Sequence, residues 1–162
     1  MKATATLSLL QDLYRERLAL FDRHVKGAQA VADYEFNNTY QNVVGRDEHH
    51  LQWVRAAIAD LGGTVDNSIT PLSLPDGKGK KREAAVIEDD ARQQQAFIDK
   101  WSPKVAAMTN ARHRTMLTLM LGEMREHQRF FAYAVEGRDD LLGRRMAGAS
   151  TGDGVLPVRW VE

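Results

Sequence analysis

The chain has no cysteine, which excludes disulfide scaffolds, thiol nucleophiles, iron–sulfur clusters and thiolate zinc sites. Any metal would have to sit on His, Asp or Glu. Proline is scarce: there are four in 162 residues, and Pro103 alone falls inside the stretches 5–61 and 83–136, so both can run as helix. Neither sign of charge is in excess, with 22 basic and 22 acidic side chains, which argues against a nucleic-acid partner. No apolar run approaches the roughly 18 residues of a membrane span, and the opening MKATATLSLL has no signal-peptide cleavage pattern. The expectation is a cytoplasmic protein without a membrane partner. P-loop, dinucleotide, G-x-S-x-G and H-E-x-x-H motifs are all missing, so no nucleotide cofactor is expected.

What is present reads as one all-α domain. A hydrophobic fraction of 43% over this length supports a single core. The two helical stretches repeat at an offset of 77 residues: Gly45 matches Gly122, His50 matches His127, Trp53 matches Phe130 and Val54 matches Phe131. The same offset relates Asp33 to Asn110, both suited to cap a helix N-terminus, and predicts four helices at 5–31, 33–61, 83–109 and 110–136. Lys26-Gly27 and Ser102-Pro103 are weak points in the first and third. Between the halves, GGTVDNSITPLSLPDGKGKK (62–81) gathers turn-forming residues. A 28-residue helix is about 42 Å long and 20 extended residues reach about 66 Å, so this segment can return along a whole helix. The predicted architecture is a four-helix bundle, residues 1–136, of two hairpins joined by one long crossover. Residues 137–162 form an irregular C-terminal tail.

On the second helix, Asp47 and His50 continue the apolar series Phe36, Tyr40, Val43, Val54, Ile58 and Leu61. An acid and an imidazole at i, i+3 on an inward face can share a metal ion. On the fourth, Glu123 and His127 share a direction with Met116, Met120, Phe131 and Ala134. The alternative is that these four groups form a polar core, paired with one another or with Arg17 and Arg92. His24, His49 and His113 lack partners at ligand spacing and are expected at the surface, as is the acidic run Glu88-Asp89-Asp90.

Asp47-x-x-His50, followed by Leu61-Gly62-Gly63, resembles the second helix of the ferritin-like superfamily, especially its rubrerythrin and bacterioferritin members. That resemblance implies a ferritin-like four-helix bundle. It also implies two irons, held by a Glu-x-x-His pair on the second and fourth helices and one Glu each from the first and third. Carried onto this chain, Asp47 and His50 fall at the second-helix pair, and His127 at the fourth-helix imidazole with Glu123 near it. Met124 stands where the fourth-helix carboxylate is expected. Glu16 lies 31 residues before Asp47, near the first-helix ligand position, although it shares its side of the helix with Leu9, Leu13 and Leu20. In the third helix the offset pairs Gln93 with Glu16, and Glu88, Asp89 and Asp90 are the acids at hand. The implied metal set is Asp47, His50, Glu123, His127 and Glu16, with iron or manganese as the cofactor.

Two functions follow. One is a divergent metal protein for oxygen or peroxide chemistry or iron handling, and the other a metal-free bundle acting as a binding or structural module. The first helix carries a second apolar stripe, Leu9, Leu13 and Leu20, beside Leu7, Leu10, Tyr14, Leu18 and Phe21. It predicts a homodimer through that stripe, with Val155 to Trp160 as an arm. Gly45 and Gly122, inside helices, are expected to permit close packing or to leave room for a bound group.

Overall fold

The computed structural model describes residues 3–138 and 141. Four helices make up the fold: α1 (Ala3–Ala30), α2 (Tyr34–Asp60), α3 (Gly79–Ala106) and α4 (Ala111–Val135). Both expected caps form, with the Asp33 side chain accepting from the Phe36 amide at 2.9 Å and Asn110 from the His113 amide at 3.0 Å. The helices run through Gly27 and Pro103, so neither weak point breaks the chain. The third helix starts at Gly79 rather than 83, taking in the basic run Lys80-Lys81-Arg82. The expected arm, Val155 to Trp160, and most of the tail lie outside the described residues.

Packing follows from side-chain pairing. Along α1 and α3, Glu16 meets Trp101 and Arg23 meets Asp89, so these helices run in opposite directions. Along α1 and α2, Arg17 meets Asp47 and Gly27 lies against Tyr40, again antiparallel. It follows that α2 and α3 point the same way, joined by residues 61–78. Helices α2 and α4 pair through Arg46–Glu123 and Asp60–Arg112. The α1–α4 and α2–α3 backbones make no close approach among the described residues. No described helix is long and apolar enough to cross a membrane.

Two apolar cores form, one toward each end of the bundle. The first holds Leu10, Leu13, Leu20, Val54, Ile58, Phe97, Trp101, Leu117 and Met124. The second holds Val31, Phe36, Tyr40, Val43, Val86 and Phe131. The α1 stripe is consumed in the first core: Leu13 and Leu20 are buried, and Leu9 packs against them. Residues 61–78 cover the other side of α1, with Leu7 under Gly63, and Gln11 and Tyr14 bonded to Thr64 and Asn67. The second stripe therefore has a partner within the chain.

Glycine serves two different purposes. A Cβ on Gly27 would lie 2.8 Å from the Tyr40 hydroxyl, so only glycine lets α1 close on that ring. At Gly45 and Gly122 an added Cβ would meet nothing within 4 Å, which sets aside close packing as their reason. Gly45→Ala and Gly122→Ala are each expected to raise the unfolding free energy by about 0.5–1 kcal/mol through helix propensity. Gly27→Ala is expected to lower it despite the same propensity gain. Urea denaturation of the three variants tests this, and a loss at Gly122 comparable to that at Gly27 would contradict it.

Candidate functional site

Between the two apolar cores each helix places polar residues inward: Arg17, Arg23 and His24 on α1, Asp47 and His50 on α2, Asp90 and Gln94 on α3, and His127 on α4. All are at most 3% exposed. Each helix passes from one apolar core through this layer into the other, which is why the layer lies halfway along the bundle.

Arg17 and Asp47 form its centre. An Arg17 Nη2 donates to Asp47 Oδ1, with both side chains fully buried. The other Asp47 oxygen accepts from His24 Nδ1 at 2.5 Å. Burial alone would raise the Asp47 pKa, but Arg17 and His24 overcome it and hold the carboxyl well below the usual range. Arg17 Nη2 also lies 3.1 Å from His50 Nδ1. A guanidinium can only donate, so Nδ1 accepts and the proton sits on Nε2, which donates to Glu123 Oε2 at 2.7 Å. Burial, aided by the Arg17 charge, lowers the His50 pKa to about 4. Glu123 is partly exposed and is also held by both arms of Arg46. Burial would raise its pKa, but the bonds from Arg46 and His50 bring it down.

His127 stacks on His50 with ring centroids 6.4 Å apart, and burial lowers its pKa to about 4. Its Nδ1 has no partner among the described residues. Gln94 donates to the Met124 carbonyl at 3.1 Å. On the far side of His24, Arg23 bonds Asp89 at 2.9 Å and lies 3.4 Å from Asp90. The Tyr40 hydroxyl donates to Asp90, whose pKa burial raises.

Asp47, His50, Glu123 and His127 thus come to one layer, in a chain of contacts that passes through Arg17. Glu16 does not join them. It lies on the outer seam of α1 and α3, accepting from Trp101 Nε1 at 2.9 Å and Lys100 Nζ at 2.5 Å. The inward position is one residue later, Arg17, and its match at offset 77 is Gln94 rather than Gln93. Three surface expectations are also corrected: His24 and Asp90 are fully buried and His113 is 4% exposed. His24 was detectable as Arg17 plus seven, two turns along the same face. Among the described residues no three His, Asp or Glu side chains are gathered as a group able to hold a metal ion.

Comparison with known proteins adds no relative: no family model, curated protein or solved structure matches the chain.

The two imidazoles set a pH dependence. Their folded pKa values, about 4, lie below the unfolded value of 6.5, so the unfolded state binds more protons and stability falls as pH drops from 6.5 toward 4. Each histidine is expected to contribute a slope of about 1.4 kcal/mol per pH unit in that window. Asp47 adds a loss of the same sign below the ordinary carboxylate pKa, whereas Asp90, with its raised pKa, opposes it. Urea midpoints across this range should show the slope reduced by about half in His127→Gln. An unchanged slope in that variant would contradict the assignment.

Proposed function

We propose that this chain is a divergent, metal-free ferritin-like bundle acting as a binding or structural module, in which a buried guanidinium–carboxylate pair takes the electrostatic place of a metal centre. The observation that carries the reading is the contact of Arg17 with Asp47 at the middle of the core. The parallel course of α2 and α3 around the connection 61–78 supports the single crossover of the family.

The family pattern has four carboxylates around two irons. The inward positions here are Arg17, Asp47 with His50, Gln94, and Met124 with His127, which leaves one carboxylate of the four and sets a cation against it. Both oxygens of Asp47 are taken by Arg17 and His24, and both of Glu123 by Arg46 and His50. A divalent ion would have to displace a guanidinium whose one carboxylate partner among the described residues is Asp47, and would repel it at short range. This donor set does not fit a di-metal centre. Iron or manganese binding for oxygen or peroxide chemistry remains a second reading, favoured by the stacked imidazoles at equivalent positions and the unpartnered His127 Nδ1. A homodimer would need a surface other than the α1 stripe.

Elemental analysis after growth with added iron, on protein purified without a metal-affinity tag, separates the two. The metal-free reading expects substoichiometric metal, unchanged in Asp47→Ala/His50→Ala. Stoichiometric metal that is lost in that variant would overturn it. In parallel, Asp47→Leu is expected to cost about 3–5 kcal/mol by stranding Arg17, and Arg17→Met/Asp47→Leu to cost less than this single change. Chemical denaturation reads both, and a double variant no better than Asp47→Leu would argue against the pair as the organising contact.

A further inference from the structure

A groove of about 730 Å3 runs between α1, α3 and the connection 61–78, apart from the polar layer. Small-molecule sites typically measure about 300–1,000 Å3 and combine an apolar lining with a few placed polar groups. The floor here is Leu20, Phe97 and Trp101, none more than 5% exposed, and Leu72 forms part of one wall. The rim is charged, and its carboxylates are already engaged. Asp12 pairs with Arg15, and Glu16 accepts from Lys100 and Trp101. Lys104 is the exception: it has no carboxylate partner among the described residues, and its ammonium stands 4.6 Å from the centre of the Trp101 ring.

We propose that this groove binds a free amphipathic monocarboxylate, with its head at Lys104 and a linear apolar body over Leu20 and Phe97. One uncompensated cation suits one negative charge. With Asp12 and Glu16 paired to Arg15 and Lys100, the rim carries one net positive charge, which matches one carboxylate and leaves the further charge of a phosphate dianion, an acidic peptide or an anionic membrane surface unmatched. The lining residues run from Asp12 to Leu20 on α1 and from Gln93 to Lys104 on α3, about 12 and 17 Å at roughly 1.5 Å per residue, which accommodates a medium-length alkyl chain.

Isothermal titration of the full chain with monomeric decanoate tests the site. The expected result is saturable binding at one per chain with a Kd of about 0.1 mM. Lys104→Glu should weaken it about tenfold or more, and Lys104→Arg should retain it. Ala96→Trp, which fills the groove from an exposed position, should abolish binding. Decan-1-ol and decyltrimethylammonium should each bind about tenfold more weakly than decanoate. Circular-dichroism melts establish that the variants are folded. The proposal is overturned by absence of saturable binding to the native chain, by equal binding to folded Lys104→Glu or Ala96→Trp, by equal binding of the cationic amphiphile, or by binding confined to anionic phospholipid vesicles.

Discussion

A guanidinium and a carboxylate taken together out of water set how the helices of this bundle are aligned. Each ion alone would carry a desolvation cost of several kcal/mol, and their attraction offsets it only while both stay in place with their remaining atoms bonded. Arg17 and Asp47 meet from two different helices: both Asp47 oxygens are bonded, by Arg17 and His24, and Arg17 Nη2 also reaches His50, while Arg17 Nε and Nη1 have no partner among the described residues. Apolar packing on either side could tolerate small shifts of one helix past another, whereas this network fixes α1 against α2 at one register. The Arg23 contacts to Asp89 and Asp90 do the same for α1 against α3. The layer thus specifies the relative height of three helices, and the two apolar cores supply most of the driving force.

The repeat at offset 77 survives in three dimensions as an approximate two-fold relation. Arg46 and Glu123 are equivalent positions and pair directly. His50 and His127 are equivalent and stack, each with the aromatic three residues later against its ring, Trp53 in one half and Phe130 in the other. The symmetry fails at the charged centre, where Arg17 corresponds to Gln94 and Asp47 to Met124. One half carries the ion pair, and the other a neutral amide and a thioether.

The helices were legible because their signals are local: scarce proline, apolar periodicity, and side chains at Asp33 and Asn110 able to cap the next turn. The inward placement of Asp47, His50 and His127 followed from the same periodicity. Glu16 and Arg17 show where this reasoning stopped. One residue is about 100° of helix phase: ligand spacing points to Glu16, whereas the polar-core alternative pairs the inward acids and imidazoles with Arg17, and that is the contact the structure forms. The partner that makes burial tolerable, Asp47, is thirty residues away, so no local window contains the reason. His24 and Asp90 were misread likewise, because their partners Asp47 and Tyr40 belong to another helix. The second stripe on α1 is a different case: Leu13 and Leu20 are buried in the first apolar core with Leu9 packed against it, and whether an apolar face meets a second molecule or other helices of the same chain is set by packing between elements that a local pattern does not contain.

Adjacent residues on α1 serve two separate environments, Arg17 in the dry layer and Glu16 at the solvent seam, and this bears on the groove beside them. The groove lies between α1 and α3 under the connection, and its width depends on how those helices are held. Midway along its lining the bonds from Trp101 and Lys100 to Glu16 tie them together. Beyond its Leu20 end the Arg23 contacts to Asp89 and Asp90 do so. Both ties are directional, so the spacing of the two helices is held by polar contacts as well as by apolar packing. The buried Arg23 tie is the less screened of the two, since the Glu16–Lys100 pair is partly exposed. The burial of charge that specifies helix register in the core thereby also preserves an apolar-floored groove at the surface.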